Sequence, residues 1–172
     1  MNHQFYVIIT FIHILAAMIW VGGMLFMALM LIPALRAQKD PGLTARLVAA
    51  VGKIYHRWGW GALITLLVTG FMALHYRGVR HSSFVSPEFW RSPFGQTLEW
   101  KLMLFGLIVG LSLIHDHVIG PRHTKMSGPN GDRAEAEKLR KQASYMGRFT
   151  LLISLLMVLL GNMLVRGNPW AN

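Results

Sequence analysis

The chain has 172 residues, 53% of them hydrophobic, a formal charge of +10 and no cysteine, and its mean hydropathy is +0.42. The missing thiols exclude disulfides, thiolate ligands, iron–sulfur clusters and covalently attached c-type haem. The apolar residues fall in long runs, which excludes an ordinary water-soluble domain and predicts an all-α integral membrane protein; the basic residues lie between those runs, pointing to a bilayer and not to nucleic acid.

Crossing the hydrocarbon takes about 20 mostly apolar residues in helical form. Four stretches qualify, roughly 5–32, 58–76, 100–119 and 149–166, and they predict one four-helix bundle domain over residues 1–172. The first run has no basic flank and no small-x-small cleavage site, and it exceeds a signal peptide's apolar region of about 7–15 residues, so it reads as a retained span.

Within span one, Ile12-His13-Ile14-Leu15-Ala16-Ala17-Met18-Ile19-Trp20-Val21-Gly22-Gly23 places an imidazole and an indole on one helix. An ionisable side chain inside a span is costly, turns toward protein and marks a functional site. A helical repeat of about 100° per residue puts Ala17, Trp20, Met24, Met27 and Leu31 on the His13 line, with Ala16 slightly off it. Alanines beside the imidazole leave room for a flat ligand. Trp20 lies deeper than an interfacial belt, so it packs on a ligand or a helix, and Gly22-Gly23 reads as close helix packing.

Arg36, Lys39, Arg46, Lys53 and Arg57 follow, with Asp40-Pro41 as an N-cap and first-turn proline, so helix two starts near Gly42 on the soluble side. On that helix His75 lines up with Phe71, Val68, Ile64 and Gly61. Residues 78–98, with Phe84, Phe89, Trp90 and Phe94, read as an interfacial cap carrying only Arg77, Arg80 and Arg91 around it. On span three Lys101 lines up with Ile108, Ser112 and His115, and Gly106-x-x-x-Gly110 marks the opposite side as a close helix contact, internal or in a homodimer. Arg122, Lys125, Arg133, Lys138, Arg140, Lys141 and Arg148 precede span four, around a Gly128-Pro129-Asn130-Gly131 turn and a cap at Asp132 with Glu135. This distribution of charge predicts a multi-pass protein of the inner, cytoplasmic membrane with both termini extracytoplasmic. No internal repeat is evident.

A rise of about 1.5 Å per residue, with spans centred near Ile19, Val68 and Ile108, places His13, His75 and Lys101 in one outer layer. Fourteen-residue spacings on helices three and four bring Lys101 to the level of Asn162 and His115 to that of Arg148. His115, Asp116, Arg148, Tyr145 and His56 then form a second, cytoplasmic-side site. His3, His81, His117 and His123 read as solvated residues. The outer layer reads as a b-type haem held by His13 and His75 between helices one and two, with Lys101 neutralising a propionate. The rivals are a copper site, in which imidazole joins the thioethers of Met24 and Met27, and a cofactor-free structural subunit.

His13, six residues, Trp20-Val21-Gly22-Gly23 and the run to Pro33-Ala34-Leu35-Arg36, with Trp100-Lys101-Leu102 opening span three, resemble the copper-resistance D (CopD)-like membrane proteins. The same features are similar to the HemJ-type protoporphyrinogen oxidases, four-helix proteins with a haem-binding histidine on helix one and a lysine on helix three. The resemblance implies that His13 is a haem or metal ligand and Lys101 its functional partner. HemJ-type proteins open helix four with Asn-Glu-x-Pro; here Tyr145-Met146-Gly147-Arg148-Phe149 stands instead, closer to the CopD-like pattern. The resulting expectation is a membrane haem b protein that exchanges electrons with a quinol or another redox protein, alone or as a small subunit of a larger complex. Copper handling and porphyrinogen oxidation are the alternatives.

Overall fold

A computed structural model describes residues 3–119 and 133–167, which are helical with no strand among them. Helix α1 is His3–Phe26; it runs through a π-helical turn, Met27–Leu31, into α2, Ile32–Ala37. Helix α3 is Pro41–Tyr76, a 3-10 turn covers His81–Val85, and α4 is Pro87–Arg91. Helix α5, Pro93–Ile114, ends in a second π turn, His115–Ile119, and α6 is Arg133–Arg166. Four stretches, His3–Ala37, Gly42–Tyr76, Pro93–His117 and Glu137–Arg166, are long and apolar enough to cross a membrane. The chain is a multi-pass membrane protein.

The first unit, Met1–Val85, pairs α1 with α3; the second, Ser86–Asn172, pairs α5 with α6. Large apolar side chains such as Phe11, Met18, Ile64 and Leu152 stay more than half exposed, an arrangement that water would oppose and lipid tolerates. Most hydroxyls within the helices are dealt with locally: Thr65, Thr69, Thr97, Ser112, Thr150 and Ser154 each donate to the carbonyl four residues earlier. In hydrocarbon that removes the cost of an unmade hydrogen bond.

The start of α3 follows its sequence signals. Asp40 is extended and its carboxylate accepts from the Leu43 N–H, with Pro41 in the first turn. At 36 residues the helix is about 54 Å long, well beyond a hydrocarbon core of about 30 Å. Its basic first half, with Arg46, Lys53 and Arg57, therefore extends past the apolar layer. The expected Gly128–Gly131 turn and the Asp132 cap lie outside the described residues.

The π turn after α1 has a local cause. Pro33 has no N–H and its ring crowds the carbonyl of Leu29, so the helix widens and the Ile32 N–H donates five residues back, to Met27. Pro121 follows the second π turn at the same six-residue interval.

That parallel extends to other spacings. Met27 comes fourteen residues after His13, and His115 fourteen after Lys101; 101 minus 13, 115 minus 27 and 121 minus 33 are all 88. The same shift superposes Val21-Gly22 on Val109-Gly110 and buried Trp20 on buried Ile108. Each unit is thus a hairpin with a polar residue in the first half of its first helix and a π turn at that helix's end. Few identical residues are shared at this offset, so the likeness of the two hairpins lies in their backbone plan.

Candidate functional site

The seam between α1 and α3 is set by antiparallel pairs. Tyr6 stacks on Tyr76 with ring centroids 4.3 Å apart, His13 meets Thr69, and Trp20 lies against Gly59 and Tyr55. The predicted His13 line is the inward one: Ala16 and Trp20 are buried and Ala17, Met24, Met27 and Leu31 partly so.

His13 Nδ1 is 2.7 Å from Thr69 Oγ1, and Thr69 Oγ1 is 2.6 Å from the Thr65 carbonyl. A carbonyl only accepts, so the single hydroxyl proton goes to Thr65 and Thr69 receives its other bond from His13 Nδ1–H. This fixes the tautomer, with the basic lone pair on Nε2, the arrangement in which metal-ligating histidines are held. Gly70 lies beside the ring, and a Cβ there would be in ordinary van der Waals contact, 3.6 Å from its Cε1. One turn away on α1, the buried Thr10 Oγ1 has no hydrogen-bond partner.

Trp20 is held from below. The Tyr55 hydroxyl donates to the Trp20 carbonyl at 2.7 Å, and a Cβ at Gly59 would come within 3.0 Å of the indole. A Cβ at Gly23 would run into the Tyr55 ring, whereas one at Gly22 would meet nothing. Of the glycine pair, Gly23 alone serves close packing within this unit.

The structure does not bring His13 and His75 together. Thr69, the residue opposite His13, and His75 are six positions apart, which is about 9 Å along α3 and about 120° around it. The expected single layer assumed a centre for span two near Val68, too far toward the end of α3. The line from His75 through Phe71, Val68, Ile64 and Gly61 is real, but it is exposed along its length. His75 instead shares a cavity of about 310 Å³ with Phe71, Met72, Leu74, Val79, His81 and Phe84.

In the second unit the lysine turns toward α6. Lys101 is half-buried, with Nζ 3.4 Å from where a Gly161 Cβ would stand. The expected level was right to one residue, but one residue is about 100° of helix, so Gly161 faces the ammonium and Asn162 is exposed. Of the predicted inner cluster, His115, Arg148 and Tyr145 are exposed. Among the described residues, no three of His, Cys, Asp or Glu come together to hold a metal ion. A Cβ at Gly106 or Gly110 would meet nothing, so the expected close contact is not made with α6.

A protein of Aquifex aeolicus (strain VF5), described as uncharacterized, is 30% identical over 152 residues, covering 88% of this chain and 89% of that one. The chain belongs to that protein's family. No family model matches the chain, and no solved structure matches it.

The sequence reading missed Thr69, Gly70, Tyr55, Gly59 and His81. Threonine and glycine in a span are ordinary in isolation. Their signal is the α3 face, where 55, 59, 62, 66, 69 and 73 recur at helical spacing, opposite in sense to the His75 line.

Proposed function

We propose that the chain is a membrane b-type haem protein of electron transfer, with His13 as an iron ligand through Nε2. The observation that carries this reading is the Nδ1–H of His13 donated to Thr69, which aims the basic nitrogen away from its anchor. The donor set fits the group, since Ala16 and Ala17 flank the imidazole and the orphaned Thr10 hydroxyl adds a polar atom on the same side. A bound haem would supply one-electron chemistry at this position. Thr69 keeps the tautomer of the imidazole, and further along the same seam Tyr55 holds Trp20. The resemblance to the CopD-like and HemJ-type proteins supports the same assignment.

A second imidazole from His75 belongs to this proposal only with α3 turned by about 120°. Lys101 offers a positive charge inside its hairpin for a carboxylate. The excess of Lys and Arg in the first and third connections supports a bacterial-type cytoplasmic membrane location with both termini outside.

The test is the oxidised and dithionite-reduced absorption spectrum of detergent-purified protein, with a pyridine haemochrome count. We expect sharp reduced b-type bands, their loss in His13→Ala, and haem affinity lowered about 10–100-fold in Thr69→Val. Full haem and an unchanged spectrum in His75→Ala leaves His13 without that partner. A colourless wild-type protein expressed with ample haem overturns the proposal.

A further inference from the structure

We propose that the cavity at the end of α3 binds the ring of a lipid-soluble quinone or quinol, hydrogen-bonded by His75 and His81. This names a substrate class for the redox role above and rests on that reading for its purpose, although not for its geometry.

The cavity is built by a helix stop. Gly78 has φ +83°, a left-handed conformation open to glycine. The Gly78 N–H donates to the His75 carbonyl and the Val79 N–H to the Leu74 carbonyl, the paired bonds of a Schellman motif. The chain is thereby folded back over the last turn of α3, and Leu74 and Val79, the two residues such a motif brings together, both line the cavity. The reversal carries His81 to the same space as His75, which sequence spacing alone does not suggest.

The lining suits a neutral aromatic ring with oxygen at its edge. Phe71 and Phe84 offer flat walls, Met72, Leu74 and Val79 offer apolar contact, and two imidazoles offer a donor or an acceptor each. Among the described residues neither ring is hydrogen-bonded to another group, so both have capacity for a ligand. A volume of about 310 Å³ is at the small end of ligand sites, enough for a ring system and too small for a porphyrin. From Phe71 the exposed line Val68, Ile64, Gly61 runs along α3 toward the membrane interior, an apolar track for an isoprenoid tail. No carboxylate lines the space, which disfavours a cationic ligand.

The experiment titrates purified protein in detergent with decyl-benzoquinone and with a short-chain naphthoquinone, reading binding by calorimetry in haem-loaded and haem-free preparations. Wild-type protein is expected to bind one equivalent, His75→Leu and His81→Leu each about tenfold more weakly, and Phe71→Ala more weakly with circular dichroism unchanged. Haem content stays at the wild-type level in His81→Leu. No binding of either quinone by the wild type, or equal binding by both histidine variants, overturns the assignment. Stoichiometric binding of copper or zinc that both variants lose, with no quinone bound, reassigns the cavity to a metal. Because the readout does not need haem, a colourless protein that binds quinone sinks the haem proposal alone, and a haem protein that binds no quinone sinks this one alone.

Discussion

At the residue scale the chain shows how little of a site's meaning resides in its most conspicuous side chain. His13 is legible in the sequence because an imidazole inside a span is costly, yet its chemistry is decided by a threonine 56 positions away. The glycine pair makes the same point with opposite signs. Gly23→Ala is expected to cost about 1–3 kcal/mol, since its methyl meets the Tyr55 ring. Gly22→Ala, which meets nothing, is expected to add up to about 1 kcal/mol from helix propensity. Tyr55→Phe removes a half-buried donor to the Trp20 carbonyl and should cost about 0.5–1.5 kcal/mol. Thermal unfolding of the three variants in one detergent checks the set, and a Gly22→Ala protein less stable than Gly23→Ala would contradict the packing described.

At the element scale, the start of α3 and the helix faces were readable, and what each face meets was not. Asp40-Pro41 specifies the α3 N-terminus through a carboxylate and a ring that act within one turn, so no tertiary contact is needed. Asp40→Ala is expected to fray that turn by about 1 kcal/mol, seen as faster amide exchange at residues 42–45 with haem and quinone binding intact. Gly78→Ala should cost about 1–2 kcal/mol, because its φ of +83° crowds a Cβ. That strain acts on the wall between His75 and His81, so quinone binding should fall with it; unchanged binding would show that the turn does not shape the cavity. The outward line of His75 was drawn correctly from periodicity, but periodicity groups residues on a face without saying what that face meets. The meeting partners of α3 are chosen by the small and aromatic residues of α1.

At the scale of the whole molecule, the charge pattern and the similar plan of the two hairpins are the informative features. The chain has no cysteine, so single-cysteine variants need no background removal. With the orientation proposed, a membrane-impermeant maleimide should label Ser82→Cys on intact cells and reach Gln38→Cys only after permeabilisation; the reverse pattern would invert the topology. In each hairpin an ionisable residue of the first helix lies beside a glycine of the second, His13 by Gly70 and Lys101 by Gly161. An imidazole in one hairpin and an ammonium in the other give equivalent positions different chemistry. By itself the sequence determined the helical class, the membrane setting, the four apolar stretches and the α3 cap, because these follow from composition, hydrogen-bonding cost in lipid and interactions within one turn. The tertiary structure decided the register of α1 on α3, the tautomer of His13, the separation of His75 from it and the joining of His75 to His81. Those depend on which residue stands opposite which, and a shift of one position turns a helical side chain by about 100°.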